Sequence, residues 1–141
     1  MRYLMIVKAS KDSEAGVMPS EKDLMEMGKF NEEMVQAGMM LDGTGLEASS
    51  KGARVHFSGG TPRVEKGPFV DPESLIAGYW VLKADSLDEV ISWGKRVPFK
   101  DGQIEIRRLF EMEDFAPGEA IEHAKELGKE IERQKAEAVP A

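Results

Sequence analysis

The sequence predicts an α+β domain: a split β-α-β sandwich of ferredoxin-like topology with a β-hairpin inserted at its middle. Three observations predict it. Residues 2–8 and 78–84 are short runs that stay apolar on both sides of the pleat, as strands covered on both faces are. Two amphipathic segments, opening at Ser20 and Ser86, each lie between one such run and a later strand. Between the two halves, residues 53–58 and 61–65 flank Gly59-Gly60, a two-residue hairpin signal. In this topology the first and third core strands occupy the sheet centre. They are the two strands here without a polar face, so pattern and topology agree.

Taken in order, Tyr3, Met5 and Val7 point one way along the first strand and Leu4 and Ile6 the other. A polar loop then runs to Met18-Pro19-Ser20. Ser20 and Asp23 approximate a capping box for a helix reaching about Gly38, a C-cap residue. Its stripe is Leu24, Met27, Phe30 (or Asn31), Met34 and Ala37. A second strand spans residues 39–47, with Asp42-Gly43-Thr44-Gly45 marking a bulge or a close backbone approach. In the hairpin a two-residue turn sets Arg54 opposite Glu65, Val55 opposite Val64 and His56 opposite Arg63, while Pro62 implies an edge or distorted strand. Ser86-Leu87-Asp88-Glu89 reads as a full capping box opening a helix that Pro98 stops, with Leu87, Val90, Ile91, Gly94 and Val97 on its stripe. Residues 103–109 alternate, Ile104 and Ile106 against Glu105 and Arg107. After Phe115-Ala116-Pro117-Gly118 a charged helical tail runs to about Lys135, with Glu122–Lys125, Glu126–Lys129 and Glu130–Arg133 at helical spacing. The expected domains are therefore residues 1–113 and a tail, 114–141.

Composition limits function. The chain has 141 residues, no cysteine and a net charge of −7. Disulfides, thiol nucleophiles and cysteine zinc sites are excluded, and two distant histidines, His56 and His123, make no metal motif. No basic stripe marks a nucleic-acid binder, and no segment is long enough to span a membrane. The expected location is the cytoplasm. Both helices cover one face of the predicted sheet, so its other apolar face needs a second cover, most simply another copy in a homodimer.

The segments Met1-Arg2-Tyr3-Leu4-Met5, Gly67-Pro68-Phe69 with Asp71, Ile76-Ala77-Gly78-Tyr79-Trp80, Ser86-Leu87-Asp88-Glu89-Val90 and Ile104-Glu105-Ile106-Arg107 with Phe110-Glu111 together resemble the YCII-related, or DGPF-domain, family. The resemblance implies a dimeric α/β-barrel of two ferredoxin-like subunits. Within that superfamily, YciI-like members look like acid–base enzymes with a His–Asp pair, and one resembles a dehydrochlorinase. The first helix here has no histidine, so that pair is not carried over. Lys66 stands where the signature aspartate is expected, leaving Glu65 or Asp71 to replace it. Some DGPF-domain proteins sit beside sigma factors, which implies a regulatory association.

Three constellations are candidate chemistry, each with a plainer reading. Gly67-Pro68-Phe69 is either a turn that plugs the core edge or a device aiming Asp71 into a cleft. His56 is either a solvated strand residue or a general acid or base, with Asp71, Glu65 or Glu105 as its carboxylate partner. Glu105 and Arg107 are either a polar strand face or, if helices cover the isoleucines, groups facing a pocket on the second-subunit side. Tyr79 and Trp80 belong to core or interface, or line an apolar pocket. The resulting expectation is cofactor-free proton transfer on a small organic molecule, isomerisation or elimination. His56, Asp71 or Glu105 would serve as base, and Arg63 or Arg107 would hold an anion near Tyr79, with no metal. The alternative is a non-catalytic dimeric ligand-binding or regulatory protein whose partner docks on the C-terminal helix.

Overall fold

In chain order the elements are β1 (Arg2–Lys8), α1 (Lys11–Glu14), α2 (Glu21–Gln36), β2 (Met40–Gly45), β3 (Ala53–His56), β4 (Arg63–Lys66), β5 (Ile76–Lys83), α3 (Leu87–Gly94), β6 (Ile104–Arg108) and α4 (Glu119–Ala138). The structure is a computed structural model that describes residues 1–138. The last three residues of the expected tail, 139–141, lie outside the described residues. The chain divides into two compact units, Met1–Leu109 and Phe110–Ala141.

In the first unit, β2, β5, β1 and β6 form, in that order, a four-stranded antiparallel sheet. The two strands with no polar face are the central ones. Pairing Tyr3 with Leu82 and Met5 with Trp80 puts these four on one face, where all are buried. Phe30 and Met34 of α2 and Val90 of α3 complete that core. Leu4, Ile6, Tyr79 and Val81 turn to the opposite face and are half-buried. Ile104 and Ile106 join the helix side, and Glu105 and Arg107 go with the open face.

The predicted polar loop after β1 holds the short helix α1, because Ser10 and Ser13 cap each other reciprocally. For α2 the capping box forms as expected: Ser20 Oγ accepts from the Asp23 N–H and Asp23 accepts from the Ser20 N–H. Gly38 follows it with φ 72°. The α2 stripe is narrower than its spacing predicts, since Leu24 and Ala37 are exposed. At α3 only half of the predicted capping box forms. Ser86 Oγ accepts from the Glu89 N–H, whereas the Glu89 carboxylate accepts from the Asp85 N–H one residue earlier.

The hairpin keeps its predicted register, Arg54 with Glu65, Val55 with Val64 and His56 with Arg63. It makes a separate two-stranded sheet, and its ladder stops at His56–Arg63. Pro62 has no N–H to continue it. Two glycines act by what they lack. A Cβ on Gly43 would lie 2.9 Å from Trp80 Cδ1, so its absence lets the indole lie on β2. A Cβ on Gly67 would sit 1.8 Å from the Ser49 carbonyl oxygen. There the signature turn, with a cis Gly67–Pro68 bond, rests on the backbone of residues 49–52: the Gly67 N–H donates to the Gly52 carbonyl and the Phe69 N–H to Ser49 Oγ.

In the second unit, Phe110 and Phe115 pack with ring centroids 5.2 Å apart, ahead of α4. The three expected ion pairs form along α4. Leu127 and Ile131 remain about half exposed. Among the described residues no helix is long and apolar enough to cross a membrane.

Gly67→Ala is expected to destabilise the protein by at least about 1–3 kcal/mol through overpacking against backbone. Gly28→Ala, at a site on α2 with no atom within 4 Å of the new Cβ, is expected to stabilise it by up to about 1 kcal/mol. Urea unfolding of both variants checks the pair.

Candidate functional site

Trp80 is the largest side chain of the core, and its position follows from burial. The ring is 6 % exposed, set edge-on to Phe30 at 5.9 Å. A buried indole N–H needs an acceptor, or folding bears its desolvation cost of about 1–3 kcal/mol. Asn31 of α2 supplies it: Trp80 Nε1 donates to Asn31 Oδ1 at 2.9 Å. An indole N–H can only donate, so the amide must turn its oxygen to the ring and its NH₂ away. Among the described residues nothing accepts from that NH₂.

Asn31 lines a cleft of about 340 Å³ between α2 and the sheet, with Val7, Met27, Gly43, Gly78 and Trp80. This volume lies in the range of small-ligand sites, which runs from about 300 to 1,000 Å³. Space exists because β2 and β5 carry glycines where other strands carry side chains. Thr44 also borders it, but its hydroxyl donates to the Gly45 carbonyl at 3.3 Å. A neighbouring cavity of about 450 Å³ shares Val7, Pro19, Ala77 and Phe99 with this cleft and is bordered by Asp12, Asp23 and Asp101. No Asp, Glu, His or Lys side chain lines the inner part.

The sequence-predicted residues lie elsewhere, and no hydrogen bond or ion pair among the described residues joins any two of His56, Asp71 and Glu105. His56, on β3, is half-buried, and its Nε2 donates to Glu65 Oε1 at 2.9 Å. Of the three carboxylates considered for it, the partner is Glu65. That hydrogen bond, the largest influence, holds the Glu65 carboxyl below its usual value; desolvation opposes it, and the neighbouring His56, Arg54 and Arg63 add to the lowering. Arg63 sits opposite His56 and is exposed. Asp71 is exposed and caps the turn after it, accepting from the Glu73 N–H at 3.2 Å. Glu105 is flanked by Lys8 at 3.8 Å and Arg107 at 3.3 Å on the open sheet face. Tyr79 contributes to the cleft boundary, while strand alternation sends its ring to the open face. Among the described residues no three His, Asp or Glu side chains gather as metal ligands.

The signature segment is held by contacts that its own residues do not announce. Ser49 Oγ donates to Glu14 at 2.5 Å while accepting from the Phe69 N–H at 3.0 Å. Phe69 does not plug the core edge; the Arg54 guanidinium stacks over its ring, 3.8 Å from the centroid. These contacts make the turn a fastening between the hairpin and the chain segment near Ser49. The residues that sequence reasoning missed are Asn31, as a cleft donor, and the Glu14–Ser49 pair. The signal for Asn31 was a carboxamide on an otherwise apolar helical stripe. Glu14 and Ser49 are 35 positions apart and carry no local signal.

The model of the YCII-related domain matches residues 1–113. No curated protein matches the chain. Among solved structures, the 5-chloro-2-hydroxyhydroquinone dehydrochlorinase of Burkholderia phenoliruptrix AC1100, in complex with 2,5-dihydroxybenzoquinone, is 16% identical, with a TM-score of 0.41 over 82% of this chain and 100% of that one.

Proposed function

We propose that this chain, which belongs to the YCII-related family, binds a small single-ring organic molecule in the cleft beside Trp80. One observation carries the reading: an apolar slot of about 340 Å³ whose polar side chain, Asn31, is held in one orientation by a core indole. Apolar walls with one or two placed polar groups are the usual make-up of a ligand site. Among the described residues no Asp, Glu, His, Lys or Arg lines the inner slot, which supports reading it as a binding site.

Gly45→Leu tests it. A Cβ at Gly45 meets nothing closer than the Ala77 carbonyl oxygen at 3.9 Å, and Gly45 lines the cleft, so a side chain rooted there is accommodated at its base and takes up cleft space. In a thermal-shift and calorimetric screen of monocyclic compounds, the unaltered protein is expected to bind at least one class. Gly45→Leu, its fold intact by circular dichroism, is expected to bind that class at least about tenfold more weakly. Equal binding by both proteins would place the ligand elsewhere.

A second reading, a cofactor-free isomerase or elimination lyase, is favoured by one observation, the 2.9 Å His56–Glu65 contact. A carboxylate that orients an imidazole is the arrangement a general base uses. On this reading His56→Ala retains ligand affinity and lowers turnover by about 10²–10⁴-fold. Unchanged turnover discards it. Asp71 and Glu105 have weaker support as bases, since each is already committed to a cap or an ion pair.

We also propose a homodimer, acting in the cytoplasm, in which a second copy covers Leu4, Ile6, Tyr79 and Val81. Glu105 and Arg107 would then border the seam. Sedimentation at micromolar concentration is expected to give twice the 15.6 kDa chain mass; a single-chain mass at that concentration rejects the dimer.

A further inference from the structure

Resting on the reading of the cleft as a ligand site, we infer that the innermost group of the ligand is a hydrogen-bond acceptor, a carbonyl or equivalent oxygen on a ring-sized apolar body, read by the Asn31 amide NH₂. The inference comes from directionality. The Trp80 N–H is a donor without acceptor capacity, and at 2.9 Å it occupies Asn31 Oδ1. Asn31 cannot flip without setting its NH₂ against the indole N–H. Its outward face is thus a donor by construction, even though an isolated asparagine would offer either polarity.

The rest of the inner wall leaves this donor unrivalled. Val7, Met27, Gly43 and Gly78 bring no polar side chain. Thr44 pairs with Tyr79, so strand alternation sends both side chains to the other face of the sheet. A ligand entering with a donor or an apolar group foremost would displace water from the NH₂ and leave it unpaired. A site built to hydrogen-bond one group rejects analogues that lack it far more strongly than a hydrophobic wall rejects a change of size. Asn31 is therefore a specificity-determining residue whose sense is set by Trp80.

A matched set of probes tests this. Acetophenone presents a ketone oxygen, α-methylstyrene has nearly the same shape without an acceptor, and aniline, neutral at pH 7, presents donors. The unaltered protein is expected to bind acetophenone at least about tenfold more tightly than either of the others. Asn31→Asp keeps an oxygen for the indole and replaces the outward donor by an acceptor. It is expected to retain the Trp80 indole N–H resonance in the ¹H–¹⁵N spectrum and to reverse the order, favouring the neutral donor aniline over acetophenone. If the unaltered protein binds all three probes alike, or Asn31→Asp weakens all three alike, the inference is overturned while the ligand site stands. If no probe binds the unaltered protein, and Gly45→Leu changes nothing, the ligand site itself is overturned and the inference with it.

Discussion

A single buried donor organises the helix side of this molecule. The Trp80 ring enters the core because β5 is a central strand whose alternate residues must be apolar on both faces. Once there, its N–H has no water to bond. Asn31 answers it from α2, fixing the rotation of that helix over the sheet, and Gly43 answers the ring's bulk from β2. Helix, edge strand and central strand are thus tied at one residue. The space left beside the tie is the cleft, and Asn31 lines it.

The same sheet divides the chemistry between two faces and a hairpin. Under the helices lies an apolar slot that carries one carboxamide, Asn31, and among the described residues no Asp, Glu, His, Lys or Arg. Across the sheet, Lys8, Glu105 and Arg107 surround four half-buried apolar side chains. An interface edge and an ion-pair cluster share that description. On the hairpin, His56 and Glu65 form the chain's histidine–carboxylate contact within the first unit, with Glu65 held as the carboxylate. Binding and proton transfer thus have separate candidate homes, which is why the two readings of function have separate tests.

The family signature acquires a physical reason that does not require catalysis. Gly67 is glycine because backbone occupies the place of its Cβ, and the Phe69 N–H is spent on Ser49. Asp71 caps the turn that leads into β5. Lys66, where the signature aspartate is expected, ends β4 opposite Ala53 and is exposed. These contacts set where β5 begins, and with it the position of Trp80.

The architecture was legible in the sequence because period-two and helical patterns are local. Two strands without a polar face named the sheet centre, Ser20 and Asp23 named a helix start, and Arg54–Glu65 and His56–Arg63 set the hairpin register. Local signals overreached where a partner was needed. The Glu89 carboxylate bonded Asp85 instead of Ser86. The cleft was illegible for a different reason. Asn31 read as a stripe position until the indole 49 residues away fixed which end of its amide faces outward, and Glu14 met Ser49 across 35 residues. Spacing along a chain determines which face a side chain occupies. Only tertiary packing decides which distant group takes up its donors and acceptors, and that choice defines what the candidate site can recognise.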